Sequence, residues 1–180
     1  MMKKLSKLAL LAVAAAFLAA LPACSSGSGG EGDSGTAGTG SGTNTTVTGT
    51  LNKNLDANKE VTYTAASAGT YIVISVDGGA RVAGVSFGTE SWKGTSTDGD
   101  TNQAGKDLFT GTKMTVSTGS GQIKYDVTTG GVINGTLKLD AAEANNAKDK
   151  CVKVKVTEGG TITFQLNASG SNKDYTIRPE

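Results

Sequence analysis

Residues 151–166, Cys151-Val-Lys-Val-Lys-Val-Thr-Glu-Gly-Gly-Thr-Ile-Thr-Phe-Gln-Leu166, hold two runs in which apolar and polar side chains alternate. In the first run the valines share one face, opposite Cys151 and two lysines. In the second run the shared face consists of Ile162, Phe164 and Leu166. A period of two residues is typical of a half-buried β-strand. Glu158-Gly-Gly160 between the runs predicts a hairpin turn that joins the two strands.

The same alternation recurs along the chain, in short runs separated by Gly, Asn, Asp and Ser. Its apolar positions include Val61, Tyr63, Ala83, Val85, Phe87, Met114, Val116, Ile123, Tyr125, Val127, Ile133, Leu137, Leu139, Tyr175 and Ile177. Tyr71-Ile-Val-Ile74 is continuous and predicts a strand covered on both faces. Asp140 to Lys150 begins like a capped helix, but its Asn and Asp residues favour a single turn or a loop. About eight to ten strands without a convincing helix predict an all-β fold, an antiparallel β-sandwich of jelly-roll type.

The predicted domain spans Val47 to Glu180, and its 134 residues are enough to bury a core. Before it, 18 of the 22 residues from Ser25 to Thr46 are Gly, Ser or Thr. Such a segment is typical of a flexible linker, with a root-mean-square span of about 25 Å. We interpret residues 24–46 as a tether that holds the domain clear of a membrane. A low-complexity binding segment is the alternative, although neither aromatic residues nor a charge block supports it.

Residues 1–23 have the pattern of a secretory signal peptide. The first seven residues contain Lys3, Lys4 and Lys7. An unbroken apolar run of 14 residues follows, from Leu8 to Leu21. As a helix this run would rise only about 21 Å, short of the roughly 30 Å hydrocarbon core of a bilayer. We therefore expect export and cleavage instead of a permanent transmembrane helix.

Leu21-Pro-Ala-Cys24, at the end of the leader, resembles the lipobox of bacterial lipoproteins. The resemblance implies cleavage before Cys24 and attachment of lipid, palmitate included, through its thiol. It also implies an outer-membrane or cell-surface location in the envelope, because Ser25 stands where Asp signals inner-membrane retention in some bacteria. A plain signal peptide with an incidental cysteine is the alternative.

Composition excludes several classes of function. Loss of the three leader lysines leaves 14 of 17 basic residues against 16 acidic ones, a formal net charge of −2. A nucleic-acid partner is unsupported, because its recognition needs a basic stripe. The chain has no histidine, which removes the usual general base of Ser and Cys hydrolases and the commonest zinc ligand. With Cys24 lipidated, Cys151 has no disulfide partner, and we interpret it as a structural or idle thiol.

A longer part of the chain, Leu108 to Arg178, resembles a known module. The matching runs are Gly131-Val-Ile-Asn-Gly-Thr-Leu-Lys-Leu139, Lys150 to Val156, Gly160 to Phe164 and Ala168 to Asp174. They look like the β-sandwich module that accompanies pectate lyase-like and other secreted bacterial polysaccharide-active proteins. The resemblance implies an accessory, carbohydrate-binding-like module, since the chain has no room for the catalytic parallel β-helix of those proteins. A second likeness, at Gly69 to Val73 and Asp174 to Ile177, is to sandwich domains that trail secreted bacterial peptidases.

Asp98, Asp100 and Asn102 alternate in Thr97-Asp-Gly-Asp-Thr-Asn102 and resemble the start of a calcium loop. A hard cation favours several converging carboxylate and amide oxygens. The rest of an EF-hand-type pattern is missing, because Gln103 and Phe109 stand where it needs Gly and Glu. Calcium is therefore a candidate ligand, no cofactor is required, and a solvated turn is the alternative.

Trp92, the only tryptophan, lies between Gly88 and Gly94 beside Glu90 and Lys93. An exposed indole can stack on the apolar face of a sugar ring while charged neighbours bind its hydroxyls. Trp92, Lys93 and Glu90 are therefore the candidate ligand-binding residues. The alternative is that Trp92 folds back over the core.

These features favour a non-catalytic binding module for carbohydrate, displayed by a lipid-anchored monomer. A glycosidase would need carboxylates such as Glu90, Asp98 and Asp100 to pair as acid and base. Paired carboxylates on one short loop are more often turn residues, so we expect no enzymatic activity. The alternative function is a structural or adhesive surface lipoprotein that binds host or envelope proteins through its loops.

Replacing Cys24 by Ser tests the anchor. Because the lipid would be attached through the sulfur, Cys24→Ser should leave an unprocessed or soluble exported protein. Detergent-phase partitioning and labelling with a radioactive fatty acid measure this, and the matched control Cys151→Ser should keep both. Unchanged partitioning and labelling of Cys24→Ser would show that the lipoprotein interpretation is wrong.

Overall fold

The computed structural model describes residues 45–53, 57–95, 101–127, 135–140, 149–168 and 170–180. In these ranges the chain forms twelve β-strands in two antiparallel sheets of six, which confirms the predicted all-β sandwich. No helix in the same ranges is long and apolar enough to cross a membrane. The leader, Cys24, most of the tether and the predicted turn at 141–148 lie outside the described residues.

The two sheets are called sheet A and sheet B. Sheet A contains β1 (Val47–Leu51), β3 (Gly69–Ser75), β6 (Asp107–Thr110), β7 (Met114–Thr118), β10 (Val152–Val156) and β12 (Lys173–Pro179). Sheet B contains β2 (Lys59–Ala65), β4 (Ala80–Phe87), β5 (Glu90–Lys93), β8 (Lys124–Asp126), β9 (Thr136–Leu139) and β11 (Gly160–Ala168). In space, sheet A has the order β1, β12, β3, β10, β7, β6. Sheet B has the order β2, β11, β4, β9, β8, and β5 also pairs with β4.

The strands pair in a nested order. β1 pairs with β12, β2 with β11, β3 with β10 and β4 with β9, all antiparallel. Successive pairs alternate between sheet A and sheet B. The first four and the last four strands thus form one long antiparallel ribbon wrapped around a core, which is the arrangement of a jelly roll. Residues far apart in sequence come into register, as Val47 does with Ile177.

The connection 157–159 between β10 and β11 crosses from one sheet to the other. The hairpin predicted at Glu158-Gly-Gly160 is therefore wrong, because β10 pairs with β3 and β7, whereas β11 pairs with β2 and β4. Both strands still direct their apolar side chains into one core cluster. Glycine is needed at 159, since a Cβ there would lie 2.8 Å from the carbonyl oxygen of Ala66 in the neighbouring crossing.

β3 is buried on both faces, as its continuous apolar run predicts. Tyr71 and Val73 belong to the main core between the sheets. Ile72 and Ile74 point the other way and form a second buried cluster with Cys151. β3 lies between β12 and β10, so it occupies the interior of sheet A.

Two details of the predicted alternation are wrong. Gln165 pairs with Gly84 and the next residue, Leu166, pairs with Val82, so Ala83 is the extra residue of a β-bulge. Val82 therefore takes the place in the main core that the alternation assigns to Ala83. Val127 follows β8 and is 36% exposed instead of half-buried.

A buried hydroxyl without a partner gives a test of the core. Tyr63 is 2% exposed and its hydroxyl has no hydrogen-bond partner among the described residues, whereas the hydroxyl of Tyr71 donates to the carbonyl oxygen of Ser67 at 2.9 Å. Tyr63→Phe should therefore keep or raise the free energy of unfolding, by up to about 1 kcal/mol, because it removes an unsatisfied polar group. The control Tyr71→Phe loses a hydrogen bond and should cost about 1 kcal/mol.

Urea unfolding of the two variants measures this difference. The two tyrosines suit the comparison because their rings lie 5.1 Å apart in the same part of the core. A Tyr63→Phe variant destabilised as much as Tyr71→Phe would show that the Tyr63 hydroxyl has a stabilising partner.

Candidate functional site

Trp92 belongs to the core. It lies in β5, opposite Val85 of β4 in the register. Cross-strand partners lie on the same face of a sheet, and Val85 is part of the main core. The indole is accordingly only 8% exposed. The expectation of an exposed indole is therefore wrong, and the alternative, that Trp92 folds back over the core, agrees with the structure.

Glu90 is held by the turn between β6 and β7. Its Oε1 accepts hydrogen bonds from the backbone N–H and the hydroxyl of Thr112, both at 2.7 Å. Its Oε2 accepts from the N–H groups of Lys113 and Met114, at 3.1 and 2.7 Å. The Thr112 hydroxyl and these N–H groups favour the charged form, which lowers the pKa of Glu90. The contact is close, since a Cβ at Gly111 would collide with the carboxylate. Through these hydrogen bonds Glu90 joins sheet B to sheet A.

Lys93 is the exposed member of the predicted site. It lies opposite Gly84 on the outer face of sheet B. There it borders a shallow groove of about 390 Å³ together with Ser86, Ser91 and Gln165. The structure therefore separates the three predicted residues, because Trp92 faces inward, Glu90 binds another turn and Lys93 faces solvent.

The predicted calcium ligands are only partly covered by the structure. Asp98 and Asp100 lie outside the described residues. The side-chain oxygen of Asn102 accepts hydrogen bonds from the N–H groups of Ala104 and Ile123, at 3.1 and 3.2 Å. Among the described residues no three His, Cys, Asp or Glu side chains come together as a metal site. Asn102 thus shapes its own loop, and calcium binding stays a prediction.

Cys151 lies in the second apolar cluster, with Ile72 and Ile74, and is fully buried. Burial raises the pKa of its thiol to about 11. At neutral pH the thiol is therefore protonated, which is the unreactive form of cysteine.

A charged cavity of about 410 Å³ lies at one end of the sandwich and is called the end pocket. Its lining includes Asp77, Gly79, Arg81, Lys138, Asp140 and Lys173. These residues come from the β3–β4 turn with the start of β4, the end of β9, and the start of β12. Strand pairing brings these segments together, because Ala80 of β4 is opposite Leu139 of β9 and Ser75 of β3 is opposite Tyr175 of β12.

Arg81 contributes a buried charge to the end pocket, since the residue is only 6% exposed. Its Nε and Nη2 contact Oδ2 of Asp126 at 2.8 and 2.6 Å, and its Nη1 donates to the carbonyl oxygen of Gly79 at 3.1 Å. A buried charge needs such partners, because its desolvation is otherwise costly. Asp126 lies in β8, so the ion pair spans β9 from β4 to β8.

Two lysines of the end pocket also have carboxylate partners. Lys138 Nζ lies 2.9 Å from Asp140 Oδ1, with side chains 41% and 46% exposed. Lys173 Nζ lies 3.6 Å from Asp77 Oδ2, with side chains 19% and 44% exposed. The Lys138–Asp140 pair is exposed, and exposed ion pairs contribute little to stability, about 0–1 kcal/mol; in the other pair only Asp77 is exposed and Lys173 is half-buried. Their partners can therefore be exchanged for a ligand at small cost.

Sequence reasoning missed the end pocket. Asp77, Asp140 and Lys173 lie in or beside turns, where polar residues are expected for turn chemistry alone. The available signal was Arg81, the one charged residue in the mostly apolar run from Ala80 to Phe87. A charge within a buried strand requires a partner, but the sequence does not reveal that the partner is Asp126.

No protein-family model, curated protein or solved structure matches the chain. The functional proposal therefore depends on the residues and contacts of the end pocket.

The Glu90 contacts predict an acid-sensitive stability. The folded pKa of Glu90 lies below its ordinary value of 4.5, so its stabilising effect is fully present above that value and is lost as pH falls through the folded pKa. Glu90→Gln replaces one of the two acceptor oxygens by an NH2 donor, which would face backbone N–H groups. The melting temperature of Glu90→Gln should therefore be lower than wild type at pH 7, and the difference should shrink in acid.

Thermal melts between pH 7 and pH 2 measure this effect. The control is Glu158→Gln, which removes an exposed ion pair with Lys113 near the same turn and should change the melting temperature little. A difference for Glu90→Gln that is absent at pH 7, or constant down to pH 2, would contradict the assigned role of Glu90.

Proposed function

We propose that the chain is a lipid-anchored protein of the bacterial envelope that displays a non-catalytic carbohydrate-binding domain. The lipobox-like Leu21-Pro-Ala-Cys24 and the Gly/Ser/Thr-rich segment 25–46 support anchored display. The sandwich supports presentation of a site on turns held by a rigid scaffold. The end pocket is the observation that carries the proposal.

The end pocket suits a ligand with many hydroxyl groups. Its volume of about 410 Å³ lies within the roughly 300–1,000 Å³ typical of small-molecule sites. Its lysines donate hydrogen bonds and its Asp77 and Asp140 carboxylates accept them, and a sugar hydroxyl can do both. Its described lining residues include no aromatic side chain. We therefore expect modest affinity, in the micromolar to millimolar range, or about 4–8 kcal/mol.

Binding without catalysis agrees with the surroundings of the side chains that could otherwise act as catalysts. The Glu90 carboxylate is held by hydrogen bonds from Thr112, Lys113 and Met114. The Cys151 thiol is buried and protonated at neutral pH. The sequence has no histidine that could act as a general base.

A glycan array probed with the intact protein in detergent tests the proposal. We expect weak, reproducible binding to a subset of plant, microbial or host glycans, and loss of that binding in the double variant Lys138→Ala/Lys173→Ala. The matched control Lys113→Ala removes another exposed ion-paired lysine, at a different turn, and should bind like wild type.

Two results would contradict the proposal. One is an array on which the intact protein binds no glycan, and in that case capture of an envelope or host protein would favour the adhesive alternative. The other is glycan binding that the double variant retains in full.

A further inference from the structure

We propose that the end pocket selects sugars that carry a carboxylate, that is, acidic glycans. This inference rests on the proposed carbohydrate-binding function and names the ligand class of the same site. Two features support it: the fixed guanidinium of Arg81 and the exchangeable ion pairs of two lysines.

Arg81 presents a pre-organised donor group. Each terminal nitrogen of a guanidinium carries two N–H groups. Nη1 contacts the Gly79 carbonyl and Nη2 contacts Asp126, so each has one further N–H outside these contacts. Because Asp126 and Gly79 fix the side chain, little rotamer entropy is lost when a ligand binds. A carboxylate matches the planar, forked geometry of these donors.

The two lysines supply charge that a ligand can recruit. Lys138 and Lys173 line the same pocket as Arg81, and their carboxylate partners are 46% and 44% exposed. Water can therefore solvate Asp140 or Asp77 when a ligand carboxylate takes its place beside the lysine. Lys173 is also held close to the β3–β4 turn, since a Cβ at Gly79 would lie 2.9 Å from its Cε.

Local charge limits how many negative charges a ligand of the end pocket can carry. Among the described lining residues and their partners, the cations Arg81, Lys138 and Lys173 are formally balanced by the carboxylates of Asp77, Asp126 and Asp140. A ligand carboxylate that takes the place of one aspartate beside its lysine leaves the other aspartate as an acceptor for the ligand hydroxyls. A doubly charged phosphate or a densely sulfated glycan would place a second negative charge against the same carboxylates.

A pair of matched ligands tests the inference directly. The intact protein in detergent is titrated with a glucuronate oligosaccharide and with its carboxyl-reduced form, in which each carboxylate is replaced by a CH2OH group. The two ligands share their ring hydroxyls and differ in charge. We expect the acidic form to bind about tenfold more tightly or better at low salt, and the preference to fall as salt screens the charges.

Variants locate the preference in the end pocket. Lys138→Met/Lys173→Met removes both recruitable charges and should reduce the preference to near parity, whereas the control Lys113→Met should keep it. Arg81→Lys keeps the charge but loses the fork, and should also weaken binding of the acidic form. Because Arg81 is buried with Asp126, Arg81→Lys could prevent folding, and in that case the double lysine variant and its Lys113→Met control still decide the test.

The outcomes separate this inference from the proposed function. Equal affinity of wild type for the acidic and reduced forms, or binding of neutral glycans alone, would overturn the carboxylate selectivity and leave carbohydrate binding intact. Absence of binding to any glycan would overturn both. An acid preference that Lys138→Met/Lys173→Met retains would show that the carboxylate is not recognised by the end pocket.

Discussion

The structure depends on burial of one face of nearly every strand against the opposite sheet. β10 and β11 show this most clearly, because they are consecutive in the chain, belong to different sheets and still share one core cluster. Their connection crosses between the sheets, close enough to the neighbouring crossing at Ala66 that residue 159 must be glycine. Because the chain crosses at most of its connections, the turns at each end of the sandwich come from distant parts of the sequence.

The strands could be predicted from sequence because each follows a local period of two. The alternating valines of β10 are buried, as a period of two predicts. The continuous apolar run of β3 is buried on both faces, as the absence of alternation predicts. The partner of a strand is not a local property. A Gly-Gly turn between two alternating runs can close a hairpin or cross to the opposite sheet. At Glu158-Gly-Gly160 the chain crosses, and the apolar faces of both strands are buried in the same core between the sheets.

The site could not be predicted in the same way. Trp92 looked like a loop residue because the four residues of β5 are too few to show alternation, and its register with Val85 places it in the core. Glu90 looked like a ligand-binding residue, yet its carboxylate accepts hydrogen bonds from N–H groups more than 20 residues away in the sequence. The end pocket combines Arg81, Lys138 and Lys173, which the nested pairing of the jelly roll brings together.

We propose that ligand binds at the end pocket and not on the face of sheet B that carries Lys93. Hydrogen–deuterium exchange of the intact protein in detergent, with and without a glycan that it retains, tests this claim most directly. We expect added protection of the amides of residues 76–81, 138–140 and 170–173, with none in 84–93. Protection confined to 84–93 and 161–165 would contradict it.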